Sequence, residues 1–240
     1  MAVAIAIGIA WLVTSQTKNR VQIEFNIHIN SEAVYLSMYA EPPQFAIWLE
    51  NPKTGDCRQV FVTYRVSRGD WEGKSDVPSA LPHWVTVFRS NNGQPQKRSD
   101  DEIAISGATP RDEYFRVRAE VPPGSEWIGW IEMNLAGDYN DYYPQFNRLT
   151  KEEDEFSCGQ PALLYRMDIK AVEGNHYTPR AEMMSLWEDG DHRLVPVDST
   201  ITTAQNVFDA IDVQIVRPKP VIINLKKAEN QEVLKNKNSQ

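Results

Sequence analysis

Residues 21–29 read VQIEFNIHI, an unbroken alternation of apolar and polar side chains. Side chains on a β-strand point to opposite faces with period two, so this stretch is committed to a strand with one dry and one wet face. A helix would scatter the same apolar residues around its circumference. His28 falls on the polar side and is read as solvent-facing.

One strand cannot bury its own apolar face, so partners must follow. Strands are expected over 45–50, 59–66, 84–89, 102–106, 114–121, 127–134, 162–170, 211–216 and 221–225. Turn chemistry separates them, at Asn51-Pro-Lys-Thr-Gly55, Asn91-Asn-Gly93, Gly107-Ala-Thr-Pro110 and Pro122-Pro-Gly124. Residues 180–188 (RAEMMSLWE) fit either a strand or a short helix. Residues 202–210 (TTAQNVFDA) open on threonines and carry apolar residues at helical spacing, which predicts one short C-terminal helix. Many short strands with Gly, Pro and Asn punctuation predict an all-β chain, a β-sandwich of immunoglobulin-like or jelly-roll-like type. Seven Trp, nine Tyr and eight Phe suit such a core, and 240 residues suit one domain of this class.

Residues 1–17 (MAVAIAIGIAWLVTSQT) carry no charged side chain. That length sits at the lower edge of what crosses a bilayer core of about 30 Å as a helix. Trp11 suits an interfacial position, and Gly8 among alanines suits close helix packing. The expected organisation is a transmembrane anchor over 1–17, a sandwich domain over 18–225 and a polar C-terminal extension over 226–240. The alternative for the first segment is a signal peptide, with small residues at Val13-Thr14-Ser15 for cleavage. The expected location is a bacterial inner membrane, single-pass, with the domain in the periplasm. Lys18 and Arg20 beyond the apolar run point the other way, but two charges weigh little against a large domain.

The net charge of −8 and pI of 5.1 give no basic face for nucleic acid. Cys57 and Cys158 belong to no CxxC or Cys/His cluster, and either pair in one long-range disulfide or stand as two thiols. The four histidines (His28, His83, His176, His192) show no metal-ligand spacing, and no nucleotide or nucleophile-elbow motif occurs. No cofactor is expected.

Two stretches carry candidate interactions. Gly137–Pro144 (GDYNDYYP) sets Asp138, Asn140 and Asp141 close together as oxygen ligands for calcium, or as an Asx-rich turn. Tyr139, Tyr142 and Tyr143 offer stacking faces for a sugar or peptide. The acidic run Glu152, Glu153, Asp154, Glu155 is either a solvated loop or a patch for a basic partner such as a basic electron carrier.

The segments PQFAIWLE (43–50), GATP (107–110), EMN (132–134) with DYN (138–140), and GQPALLY (159–165) resemble a family of predicted periplasmic bacterial proteins of unknown function, which neighbour membrane redox or peptide-anchored modules. The resemblance covers roughly residues 40–216. It implies export and a β-sandwich, with no established catalytic residue to carry over. The N-terminal apolar segment and the polar tail depart from that pattern.

The expected function is therefore that of a non-catalytic, membrane-anchored, extracytoplasmic accessory subunit. It would contact the bilayer through residues 1–17 and dock on subunits of a larger membrane complex, respiratory or photosynthetic. The alternative is a periplasmic module binding carbohydrate, peptide or calcium through residues 137–144. A hydrolase built on two carboxylates ranks last, since no spacing places such a pair.

Overall fold

The alternation over 21–29 folds as expected. Val21, Ile23, Phe25, Ile27 and Ile29 of strand β1 (Val21–Ile29) are all buried. The computed structural model describes residues 20–64, 66, 70–71, 74–75, 80–88, 105–107, 110, 112–154, 156–188 and 191–218, and the compact unit within it is Val21–Val216.

Along the chain the elements are β1, helix α1 (Ser31–Leu36), β2 (Gln44–Glu50), β3 (Cys57–Thr63), β4 (Asp70–Trp71), β5 (Lys74–Ser75), helix α2 (Pro82–Phe88), β6 (Ile105–Gly107), β7 (Tyr114–Val121), β8 (Glu126–Asn134), β9 (Ala162–Lys170), β10 (His176–Tyr177), β11 (Ala181–Glu188), β12 (Asp191–Pro196), a 3-10 turn (Ala204–Asn206) and β13 (Phe208–Val216). A four-stranded sheet runs β10-β13-β1-β7, and a seven-stranded sheet runs β12-β11-β9-β8-β2-β3-β6. All pairings are antiparallel except β3 with β6. The chain is a two-sheet β-sandwich.

The main core lies between the sheets. Phe25 and Val213 of the small sheet meet Phe45, Ile131 and Leu163 of the large one. Phe45 is its hub, edge-on to Phe115 and Phe208 at 5.0 and 5.3 Å and tilted on Phe61 at 5.1 Å. The large sheet also has a dry outer face. Ala46, Trp48, Val62, Ala162 and Leu164 alternate with the core residues and pack under Leu81 and Trp84. β2 is therefore buried on both sides, which is why FAIWL is a continuous apolar run where β1 alternates.

Two expectations are corrected, and one open choice is settled. Of the strand expected over 84–89, residues 84–88 (WVTVF) lie in helix α2, and residue 89 is outside the described residues. Pro82 suits a first helical turn, and tertiary contacts described below override the β propensity. The short C-terminal helix shrinks to the 3-10 turn Ala204–Asn206, because Phe208, Ala210 and Ile211 are drawn into pairing with β1. Residues 180–188 take the strand alternative, as β11. Strand 221–225, the anchor over 1–17 with Gly8 and Trp11, and the extension over 226–240 lie outside the described residues. No helix among the described residues is long and apolar enough to cross a membrane.

The sandwich has two unlike ends. At one, short turns connect strands, and Gln22 pairs with Val216 where the chain joins its flanking segments. At the other lie the connections 30–43, 108–113, 135–161 and 197–207. We call these the turn end and the loop end.

Of the two readings of the cysteines, the structure takes the two thiols. Cys57 pairs with Glu50 at the turn-end tip of β2, whereas Cys158 accepts from Asn134 (3.1 Å), which pairs with Gln44 at the other tip. Seven residues of strand put these sites about 20 Å apart, and both thiols are free. Unfolding without reductant in excess alkylating reagent should therefore add two adducts by mass. A chain that takes none holds the disulfide after all.

Candidate functional site

The loop end is built rather than draped. Asn30 caps α1, accepting from the amides of Glu32 and Ala33 (3.0 and 3.2 Å), and so turns the chain sharply off β1. Past α1, the Met38 amide donates to the Gly137 carbonyl (3.0 Å) and the Tyr39 hydroxyl to Ser157 (2.9 Å), which ties 30–43 to 135–161. Gly137 has φ +71°, and a Cβ there would sit 2.6 Å from the Tyr39 ring. Gly159 has φ +68°, and a Cβ would sit 2.6 Å from the Asp138 carbonyl oxygen. Only glycine permits both the left-handed backbone and the close approach.

Buried polar groups then lock 135–161 to 197–207. Gln160 accepts from the Thr202 amide and donates to Thr203 (both 2.7 Å), and Thr203 in turn donates to Asp138. Burial pushes the Asp138 carboxyl above its ordinary range, partly offset by those hydrogen bonds. Asn134 donates to the carbonyls of Cys158 and Gln160 (3.1 and 2.9 Å). Asn134 Oδ1 and Asp138 Oδ2 are buried without a partner, while the remaining bonds of the network tie 135–161 to 197–207.

The predicted residues separate on this frame. The Asn140 side-chain oxygen accepts the amides of Tyr142 and Tyr143 (2.9 and 2.8 Å), while its amide donates to Thr200 and Thr202 (2.8 and 3.0 Å). That is an Asx turn nailed to the neighbouring connection. Asp138 points into the buried network and Asp141 into solvent. Among the described residues no three His, Cys, Asp or Glu side chains gather as metal ligands. Tyr143 packs on the core and reaches Thr200 (3.1 Å), Tyr139 is half-buried, and only Tyr142 presents its ring to solvent. Asp154 accepts the Gly159 amide (2.7 Å), which makes it a strut. Glu152 and Glu153 are exposed, and Glu155 lies outside the described residues.

Exposed apolar side chains gather at this end. Ten large hydrophobic residues stand exposed among the described residues: Tyr35, Leu36, Met38, Tyr39, Tyr64, Tyr114, Tyr142, Phe146, Leu149 and Val172. Tyr64 follows β3 and Tyr114 opens β7, both at the loop end, and seven more belong to its connections. Val172 alone lies at the turn end. Scattered apolar residues on a surface mean little, and their gathering at one end makes that end the candidate surface.

A second constellation escaped sequence reasoning. On the outer face of the large sheet, Glu132 is fully buried and accepts the amides of His83 (3.0 Å) and Trp84 (2.7 Å) at the start of α2. Ser185 of β11 hydrogen-bonds Glu132, accepts the His83 amide (3.0 Å) and lies 3.3 Å from the His192 Nε2. The His83 ring stacks on His192 at 5.2 Å and meets Trp48 and Trp130 at 5.6 and 5.4 Å. In a hydrolytic triad the carboxylate orients the imidazole. Here its oxygens hold backbone amides, so the arrangement latches α2 to the sheet. The only sequence trace of it is a lone Glu within the apolar run of β8.

No protein-family model, curated protein or solved structure matches the chain.

Burial raises the Glu132 carboxyl to about 7, against the lowering effect of its hydrogen bonds, while burial and the neighbouring His192 lower His83 to about 4. Between pH 4.5 and 6.5 the folded pair carries its proton on Glu132, whereas the unfolded chain carries it on His83. The proton counts match, so the pair adds no slope to stability in that window. Glu132→Gln leaves His83 alone, and stability then rises as pH climbs from about 4 to 6.5. His83→Asn leaves Glu132 alone, and stability then falls as pH climbs from 4.5 to about 7. Urea unfolding across this range should show the two opposite slopes. Profiles parallel to the wild type would refute the coupling.

Proposed function

We propose that this chain is a non-catalytic accessory subunit that docks on a partner protein of a membrane complex through its loop end. The observation that carries the reading is the gathering of exposed Tyr, Leu, Met and Phe side chains there. Aromatic residues and methionine are enriched at the centres of protein interfaces. The frame beneath them is fixed by buried polar struts, so little ordering cost opposes association. β1 begins and β13 ends at the turn end, opposite the loop end. Residues 1–17 remain the expected tether, and an extracytoplasmic location the expected setting. Carbohydrate stacking is less favoured, because of the three tyrosines in 137–144 only Tyr142 is exposed.

Gentle detergent extraction of the native membrane, followed by sizing and mass spectrometry, tests this reading. The wild type and Val172→Glu should co-migrate with a large assembly. The Leu36→Glu/Leu149→Glu variant should keep its circular dichroism and melting behaviour yet run as a free 27.4 kDa species. A wild-type chain that runs free sinks the docking proposal.

A further inference from the structure

We infer that the groove beside α1 takes a basic amphipathic segment of the partner. This rests on the docking reading and adds the chemistry of what is bound. The groove, of about 230 Å³, runs between α1 and the 108–113 connection, with Ile29, Val34, Tyr35, Pro42 and Pro110 in its wall. Asp112 and Glu113 also line it and are exposed to solvent. Neither is held by an ion pair among the described residues. The Ile29 amide donates to the Glu113 carbonyl (2.7 Å), which fixes this wall to the end of β1. Small-molecule pockets begin at about 300 Å³, so this volume suits the one or two anchor side chains that an amphipathic segment lays into a groove.

The charge pattern selects the sign of the partner. The four connections of the loop end hold eleven Asp and Glu residues against three Lys and Arg, a balance of −8. The whole chain holds 33 against 25, so the remainder balances at 22 of each. These four connections, which also carry seven of the exposed apolar side chains, hold an acidic excess equal to the net charge of the chain. Apolar anchors inside an acidic rim complement a segment with an apolar stripe flanked by lysine or arginine. An anionic lipid surface or an acidic peptide would be repelled by the same rim.

The test uses the full chain and a labelled helical peptide of about 14 residues with leucines on one face and lysines on the other, beside a matched peptide with glutamine for lysine. The lysine peptide should bind, the glutamine peptide should bind at least about tenfold more weakly, and affinity should fall as salt rises to about 0.5 M. Asp112→Lys/Glu113→Lys and Tyr35→Ala should each weaken binding roughly tenfold, whereas Glu126→Lys at the turn end should not. Equal binding of the two peptides, or equal binding by the Asp112/Glu113 and Glu126 variants, overturns the inference. The two proposals fail separately. If Asp112→Lys/Glu113→Lys still co-migrates with the native assembly while Leu36→Glu/Leu149→Glu does not, docking at the loop end stands and the basic segment in the groove falls.

Discussion

The middle of the large sheet has no wet face, and the rest of the molecule follows from that. Phe45, Ile47 and Leu49 of β2 enter the core between the sheets, while Ala46 and Trp48 enter the outer layer under α2. A strand dry on both sides needs cover on both sides. The small sheet covers one, and Leu81, Trp84 and the rest of α2 cover the other. The small side chains of Ala46 and Ala162 leave room for that close approach. A carboxyl at position 132 would be costly in such a layer without partners. Its partners are the two backbone amides that open α2, so the polar group that threatens the layer also fixes its cover.

How much of this is legible in the sequence depends on how far apart the cooperating residues lie. Alternation fixes β1, β7 and β9, since period two is a local signal. The turns at 51–55 and 122–124 are equally local, and their glycines Gly55 and Gly124 take positive φ as turn chemistry asks. Helix α2 is illegible, because WVTVF has strand propensity and the carboxylate that organises it lies 49 positions away in His83–Glu132 and 48 in Trp84–Glu132. Ser185, the third member of that latch, is 102 positions from His83. Helix α1 is short and buries only Ala33, so it leaves almost no periodic trace. The loop-end surface was half legible. The tyrosines and acids of 137–155 stand out by composition, but which of them are struts and which are exposed is decided by Thr200, Thr202 and Thr203 from a distant connection.

The two buried polar systems divide the labour. On the outer face, the Glu132 latch holds a helix over apolar residues and gives the sheet its second core. At the loop end, Asn134, Asp138, Asn140, Asp154 and Gln160 spend their hydrogen bonds on backbone and threonine groups of neighbouring connections. This ties 135–161 to 197–207 and leaves Tyr142, Phe146 and Leu149 facing solvent. Docking is proposed on the acidic and apolar character of that surface.

Rigidity of the loop end is the physical premise, and amide hydrogen exchange measures it directly. The Gly137, Gly159, Gln160 and Thr202 amides donate to Ser157, Asp154, Asp138 and Gln160 at 2.7–2.9 Å. Peptides spanning 135–161 and 197–207 should therefore exchange on the timescale of the strands, in the free chain and without any partner. Exchange at the rate of an open loop across those peptides would mean that the surface is not preformed, and the account of the loop end as a built docking face would fail.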